Sequence, residues 1–247
     1  MAAILFTAFG ACTLVPYIFF RCKRKLLTGI LLKIPTSAFF LLAACAAALA
    51  CPAALFGQYK FLFFGVIIGQ IFGMMGDFWL DMKDMMPPHH DPLVFAGFIS
   101  FFIGHCFFVA GLFATYGADL KTWLLTLGTG VVFGVAVALG EKPMKLKYGK
   151  FKAVSAAYGG VFGMSLAASL LTYLATKQPQ VLVMNIGLLV FLLSDVFLSG
   201  TFFGEGKQRP IDYTLNYICY YGGQFTIALS LLLVRGASAF TFTCGGG

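Results

Sequence analysis

A chain of 247 residues that is 60% hydrophobic and 11% charged, with mean hydropathy +0.91, cannot be solvated by water, which excludes an ordinary soluble domain and places it among integral membrane proteins. Its 17 Lys and Arg against 9 Asp and Glu give a formal net charge of +8. With no aromatic-basic module in the sequence, that excess reads as membrane topology and attraction to anionic headgroups, not as nucleic-acid binding.

Apolar runs close to the ~20 residues that cross hydrocarbon as a helix fall at about 3–20, 28–50, 61–80, 93–115, 122–140, 153–175, 180–201 and 212–234. They predict an all-α polytopic membrane bundle of about eight transmembrane helices in a single integral membrane domain over 1–247. The alternation of a β-barrel is absent, and runs such as LLAACAAALA and LSLLLV are apolar all round, as lipid-bathed helices are.

The first run has its cations after it instead of before it, so a cleaved signal peptide is not expected. If this helix enters from outside, the inner loops hold Arg21, Lys23, Arg24, Lys25, Lys83, Lys142, Lys145, Lys147, Lys150, Lys152, Lys207 and Arg209, and the outer loops only Lys60, Lys121, Lys177 and Arg235. Cytoplasmic loops collect Lys and Arg, so both termini are expected outside, in a bacterial cell membrane. Lys33 sits near the inner start of the second helix. The seven cysteines are scattered with no C-x-x-C pair and signal neither a disulfide framework nor a thiolate zinc site. The tail RGASAFTFTCGGG reads as a frayed end.

The third and seventh runs carry the main clue. Asp77 lies in FLFFGVIIGQIFGMMGDFWL and Asp195 in VLVMNIGLLVFLLSDVFLSG. A carboxylate among membrane helices costs roughly 2.5 to 3.5 kcal/mol on insertion scales, which makes each acid a candidate for function. Both helices run from outside to inside, with Asp77 ~5 Å and Asp195 ~9 Å from the expected inner ends, so the two acids can meet. Gln70, Gly73, Asp77 and Asp81 share one face of the third helix, with a glycine that permits close approach. The bland alternative for Asp77 is a carboxylate that caps or snorkels at a helix end.

The fourth helix adds His105, and the eighth adds Tyr217, Tyr220 and Gln224 on one face. Alone, such a His is ordinarily a core residue and such tyrosines an aromatic belt; their company with two acids gives them weight. His89, His90 and Asp91 in PPHHDP hint at a metal, but adjacent histidines in a Pro-rich turn point apart, and no metal site is expected. Asp77 precedes His105 by 28 residues and Asp195 precedes Gln224 by 29. The flanking GHCFFVAGL and GGQFTIALSL align, and so do LLKIPTS and KFKAVSA before the acids. Two parallel four-helix pseudo-repeats, 1–116 and 117–236, follow as a hypothesis, with a site at their interface.

The motifs Lys33-x-Pro35, Gly76-Asp77, Gly104-His105, Val154 to Tyr158 with Met164, Ser194-Asp195 and Tyr220 to Gln224 resemble the YhhN/TMEM86 family of lysoplasmalogenase-like membrane proteins. Their order and spacing carry the likeness over most of the chain. Ala153 stands where the family pattern has proline, and the PPHHDP loop is unusual. The resemblance implies hydrolysis of the vinyl ether bond of lysoplasmalogens with ethanolamine or choline headgroups, releasing a fatty aldehyde and a glycerophospho-headgroup. Such cleavage needs an acid that protonates the enol-ether carbon and a carboxylate that stabilises the resulting cation or activates water, which a buried carboxyl pair supplies.

Asp77 and Asp195 are the expected catalytic pair, with the two roles unassigned between them. Lys33, Gln70, Asp81, His105, Tyr158, Tyr217, Tyr220 and Gln224 are expected to bind or orient substrate and water. Of these, Lys33 is a candidate for the phosphate, and snorkelling is its alternative role. No cofactor or metal is implied; the partners are a lysophospholipid substrate and membrane lipids, and the oligomeric state is not fixed by the sequence. A proton-coupled carrier of a small molecule or lipid would use the same buried acids and is the main alternative. An intramembrane aspartyl protease shares only the Gly-Asp pair.

Overall fold

A computed structural model describes residues 1–206 and 208–234; Lys207, Arg235 and the rest of the tail lie outside the described residues. Eight α-helices follow one another through short connections: α1 (Ala2–Cys22), α2 (Leu26–Leu49), α3 (Ala53–Met85), α4 (His90–Tyr116), α5 (Leu120–Gly140), α6 (Lys152–Thr176), α7 (Pro179–Phe203) and α8 (Pro210–Ser230). The connections carry the usual helix punctuation. Asp119 caps α5 by accepting from the Thr122 amide at 2.8 Å, prolines open α7 and α8, and Gly117, at φ +78°, ends α4 in a conformation that a side chain would strain.

Seven of these helices are long and apolar enough to cross a membrane. The eighth predicted span, 212–234, becomes α8, whose length matches but whose polar content does not: it buries Asp212, Asn216, Tyr217, Tyr220, Tyr221 and Gln224. Its hydropathy is lowered by the same side chains that build the interior of the bundle. The third helix is longer than predicted. No proline interrupts the chain between Pro52 and Pro87, so α3 runs 33 residues, ~50 Å against a hydrocarbon core of ~30 Å. In consequence Asp77 lies eight residues before the end of α3 at Met85, and Asp195 eight before the end of α7 at Phe203, each ~12 Å along its helix. The sequence placed them at unequal depths; the helices place them alike.

Sequential helices pack as antiparallel pairs, α1 with α2, α3 with α4, α5 with α6 and α7 with α8. Between pairs, α2 meets α3 and α6 meets α7, while α4 packs on α6 and α8 on α2. Exchanging α1–α4 for α5–α8 carries these pairings into one another, but α1 also packs on α8 without a comparable contact between α5 and α4 among the described residues, so the packing is not symmetric throughout. The glycine contacts keep the same register. A side chain at Gly104 on α4 would stand 2.8 Å from the Gly69 carbonyl oxygen of α3, and one at Gly223 on α8 would stand 2.7 Å from the Gly187 carbonyl of α7. Gly69 and Gly187 each precede their acid by eight residues. Because backbone faces backbone at both crossings, neither can relax by turning a side chain. Gly223→Ala is therefore expected to lower the stability of the purified protein by about 1 to 3 kcal/mol, read as a lower melting temperature in detergent.

The connections after α1, α3, α5 and α7 gather at one end of the bundle with most of the cations. There Leu146 pairs with Gly204 as an isolated β-bridge, Lys147 meets Glu205 at 2.5 Å, and Lys150 pairs with Asp91. Glu141 accepts from the Lys152 ammonium at 2.8 Å and the Tyr148 amide at 3.0 Å, which together hold its carboxyl below the usual range.

Candidate functional site

The first half of the site is built where α2 crosses α3. Lys33 and Ser37 are four apart on α2, and Asp77 and Asp81 four apart on α3, so each pair shares a helix face. The Lys33 ammonium lies 3.2 Å from Asp77 Oδ1 and 3.2 Å from Asp81 Oδ1. It also donates to the Asp77 carbonyl at 3.3 Å. Asp77 Oδ2 accepts from Ser37 at 2.7 Å and from Tyr220 at 2.8 Å, and Tyr221 joins Ser37 at 2.9 Å. Tyr17 approaches Asp81 at 3.5 Å. Asp77, Asp81 and Lys33 are all buried, at 5%, 4% and 6% exposure. Buried charges persist only when paired and hydrogen-bonded, and here one cation serves two carboxylates.

The second half lies across a wall of aromatic rings. Asp195 on α7 accepts from Tyr158 of α6 at 2.6 Å and makes no ion pair among the described residues. Phe101 packs against Tyr158 and Tyr220 at 6.2 and 6.1 Å between ring centres, and Phe191 against Tyr220 at 5.1 Å. Despite the wall, Asp77 and Asp195 border one cavity of about 40 Å³, together with Lys33, Asp81, Ser194, Asn216, Tyr217 and Tyr220. A water needs roughly 10 to 15 Å³ and two to four polar partners, so the space suits about three waters with a carboxylate at either side.

Each acid also faces an apolar space. Asp195 borders one of about 260 Å³ lined by Phe98, Phe133, Val137, Phe162 and Leu192. Asp77 borders another of about 240 Å³ between α2 and α3, lined by Ile34, Met74, Met75, Phe78 and Trp79.

The remaining residues singled out in the sequence divide into those that join this arrangement and one that stands apart. Gln70 donates to the Gln224 carbonyl at 2.8 Å and its side-chain oxygen at 3.3 Å; Gln224 in turn reaches Tyr220 at 3.4 Å, so the two amides buttress the tyrosine that holds Asp77. Tyr217 borders the shared cavity and accepts from Arg21 at 3.2 Å. His105 pairs with Ser165 at 3.0 Å, and its ring is enclosed by Phe162, Phe191 and Tyr158 at 4.4, 5.5 and 5.7 Å. It bonds neither aspartate and does not border the shared cavity. Lys33 is neither snorkelling nor free for a phosphate: both its acidic neighbours claim it. In the PPHHDP turn, Asp91 is taken up by His90 at 3.1 Å and by Lys150.

Sequence reasoning missed Ser37, Tyr221, Asn216 and Arg21. The signal for Ser37 was present, since it follows Lys33 by the same four residues that separate Asp77 from Asp81. Arg21 was counted among the topological cations, yet its side chain is 10% exposed and ion-paired to Asp84 at 2.5 Å.

Fold and site together define a polytopic α-helical membrane protein with two inward-facing carboxylates on one small cavity, flanked by apolar spaces. More narrowly, the chain belongs to the YhhN family, whose model matches residues 28–231. The match runs from α2 through α8 and takes in both aspartates, but leaves α1 and Arg21 outside. No curated protein and no solved structure matches the chain.

Proposed function

We propose that the protein hydrolyses the vinyl ether bond of lysoplasmalogens, using Asp195 as proton donor and Asp77 as base. The observation that carries this reading is that two carboxylates in opposite electrostatic settings border the same cavity. Asp77 has the Lys33 ammonium and two hydroxyl donors, the setting of a carboxylate. Asp195 has one tyrosine, no ion pair among the described residues and an apolar space beside it, the setting of a carboxylic acid. Pairs of acids whose surroundings differ in this way divide acid and base roles between them.

Family membership supports the reaction class, and the chemistry fits the groups. Asp195 gives its proton to the enol-ether carbon nearer the alkyl chain, leaving an oxocarbenium ion at the carbon bonded to oxygen. A water in the shared cavity adds there while Asp77 takes its proton, giving a hemiacetal. Collapse reverses both roles: Asp77 returns a proton to the departing glycerol oxygen as the carbon–oxygen bond breaks, and Asp195 takes the hemiacetal hydroxyl proton. Both acids are then as they began, and one water has been consumed. The apolar space beside Asp195 would hold the alkenyl chain, an orientation that puts its double bond beside the acid.

Purified protein given lysoplasmenyl-ethanolamine is expected to release aldehyde, and given the saturated alkyl-ether analogue to release none, since only the vinyl ether accepts a proton on carbon. Folded protein that releases aldehyde from neither would sink this reading in favour of a proton-coupled carrier.

A further inference from the structure

Beyond the acids, the cationic end of the bundle opens into two polar cavities of about 450 and 650 Å³. Arg21, Lys83, Asp84, His90, Gln208 and Tyr213 line both. Arg21 and Tyr213 also border the small cavity lined by Asp77 and Asp195, so this mouth adjoins the acid cavity.

At the mouth itself two cations lean on one acid, the complement of Lys33 between Asp77 and Asp81 in the adjoining cavity. Arg21 reaches Asp84 at 2.5 Å and Lys83 reaches the same carboxylate at 2.7 Å, with side chains only 10% and 8% exposed. Two desolvated cations therefore share one acid. A guanidinium has five N–H donors and an ammonium three. Arg21 uses two groups, Nε on Tyr217 and Nη2 on Asp84, and Lys83 uses one hydrogen bond, with its ammonium 4.3 Å from the centre of the Phe202 ring. Arg24 adds a further cation to the larger cavity. Clustered cations with spare donors at a cavity mouth suit an anion with several oxygens, and arginine suits phosphate in particular.

We infer that Arg21 and Lys83 bind the phosphate of the substrate's headgroup at this mouth, the role the sequence suggested for Lys33. The inference rests on the hydrolase reading for the identity of the lipid, but the phosphate site is testable without turnover. In a lysoplasmalogen the phosphate and the vinyl ether stand on opposite ends of a three-carbon glycerol. Arg21 borders both the mouth and the acid cavity. The substrate would then lie with its headgroup among the cations, its vinyl ether at the acids and its chain in the apolar space beside Asp195.

The test uses the full chain in detergent and ligands that cannot be cleaved: a saturated alkyl-ether lysophospholipid, the alkylglycerol of the same chain length without phosphate, and inorganic phosphate. The wild-type protein is expected to bind the phospholipid roughly ten- to a hundredfold more tightly than the alkylglycerol. Lys83→Met should erase most of that preference, and Lys83→Arg should keep it; Lys83→Gln replaces the Met variant if that one does not fold. Equal wild-type affinities for the two lipids would overturn the inference, as would a preference that survives loss of the Lys83 charge. Stabilisation by inorganic phosphate without any preference between the lipids would assign the mouth to a free anion, and that too would overturn it. A phosphate preference that behaves as expected in a protein releasing no aldehyde from the vinyl ether would leave the subsite standing and remove the hydrolase reading alone.

Discussion

Asp195→Asn is expected to reduce aldehyde release about a thousandfold while leaving the protein folded. General acid catalysis by a positioned side chain contributes roughly 10² to 10⁴ in rate, and asparagine has no proton to give to carbon. The substitution is nearly isosteric, and the amide oxygen can still accept from Tyr158, whose hydroxyl lies 2.6 Å from the native carboxylate. No cation loses a partner, because Asp195 makes no ion pair among the described residues. Stability and activity should therefore separate: melting temperature close to wild type, turnover nearly gone. Asp195→Glu should recover part of the rate, since the neighbouring space of about 260 Å³ can take one more methylene. The assignment fails if the Asn variant turns over at the native rate. If instead it loses rate only in proportion to lost folded protein, Asp195 is a structural residue.

How much of this could be read before the structure differs from residue to residue, and the reason is physical. The aspartates stood out because an ionisable group in an apolar run is costly. Hydroxyls do not stand out, because in a membrane helix most of them satisfy themselves on the carbonyl a turn behind. Thr36, Ser100 and Ser169 do that here, whereas Ser37, next to Thr36, turns to Asp77. No local property distinguishes the two neighbours; the crossing of α2 over α3 decides. Arg21 was obscured for the opposite reason. It is the first of four cations clustered at the end of the first helix, where charge ordinarily reports topology, and only the approach of α3 beyond its expected end brings Asp84 to it. The depth of Asp77 was misjudged from the same cause: hydropathy falls near residue 80, but the helix continues because no proline intervenes. Eight helices were legible from apolar length, while the inward polar face of α8 shows that apolarity marks which surface meets lipid more faithfully than which segment crosses.

Lys33→Met should destabilise the protein by about 3 to 5 kcal/mol, the usual cost of removing one member of a buried ion pair. Methionine matches the length of the lysine stem, so packing is largely kept and the loss is electrostatic. Asp77 and Asp81 are each 3.2 Å from the ammonium and each at most 5% exposed; without it, two carboxylates one helical turn apart face each other in a low-dielectric interior. The hydroxyls of Ser37 and Tyr220 bond Asp77 but bring no charge. Removing one acid as well should relieve the conflict, so Lys33→Met with Asp81→Asn is expected to be more stable than Lys33→Met alone, a non-additivity of the kind contacting residues show. Activity should not recover with stability in the double variant, because Asp77 would still lack the cation that keeps it a carboxylate and hence a base. Melting temperature and aldehyde release measured on the two single variants and the double variant separate these effects. An unshifted melting temperature in Lys33→Met would mean the ammonium is not the counter-ion of Asp77, and the division of labour between the two aspartates would lose its electrostatic basis.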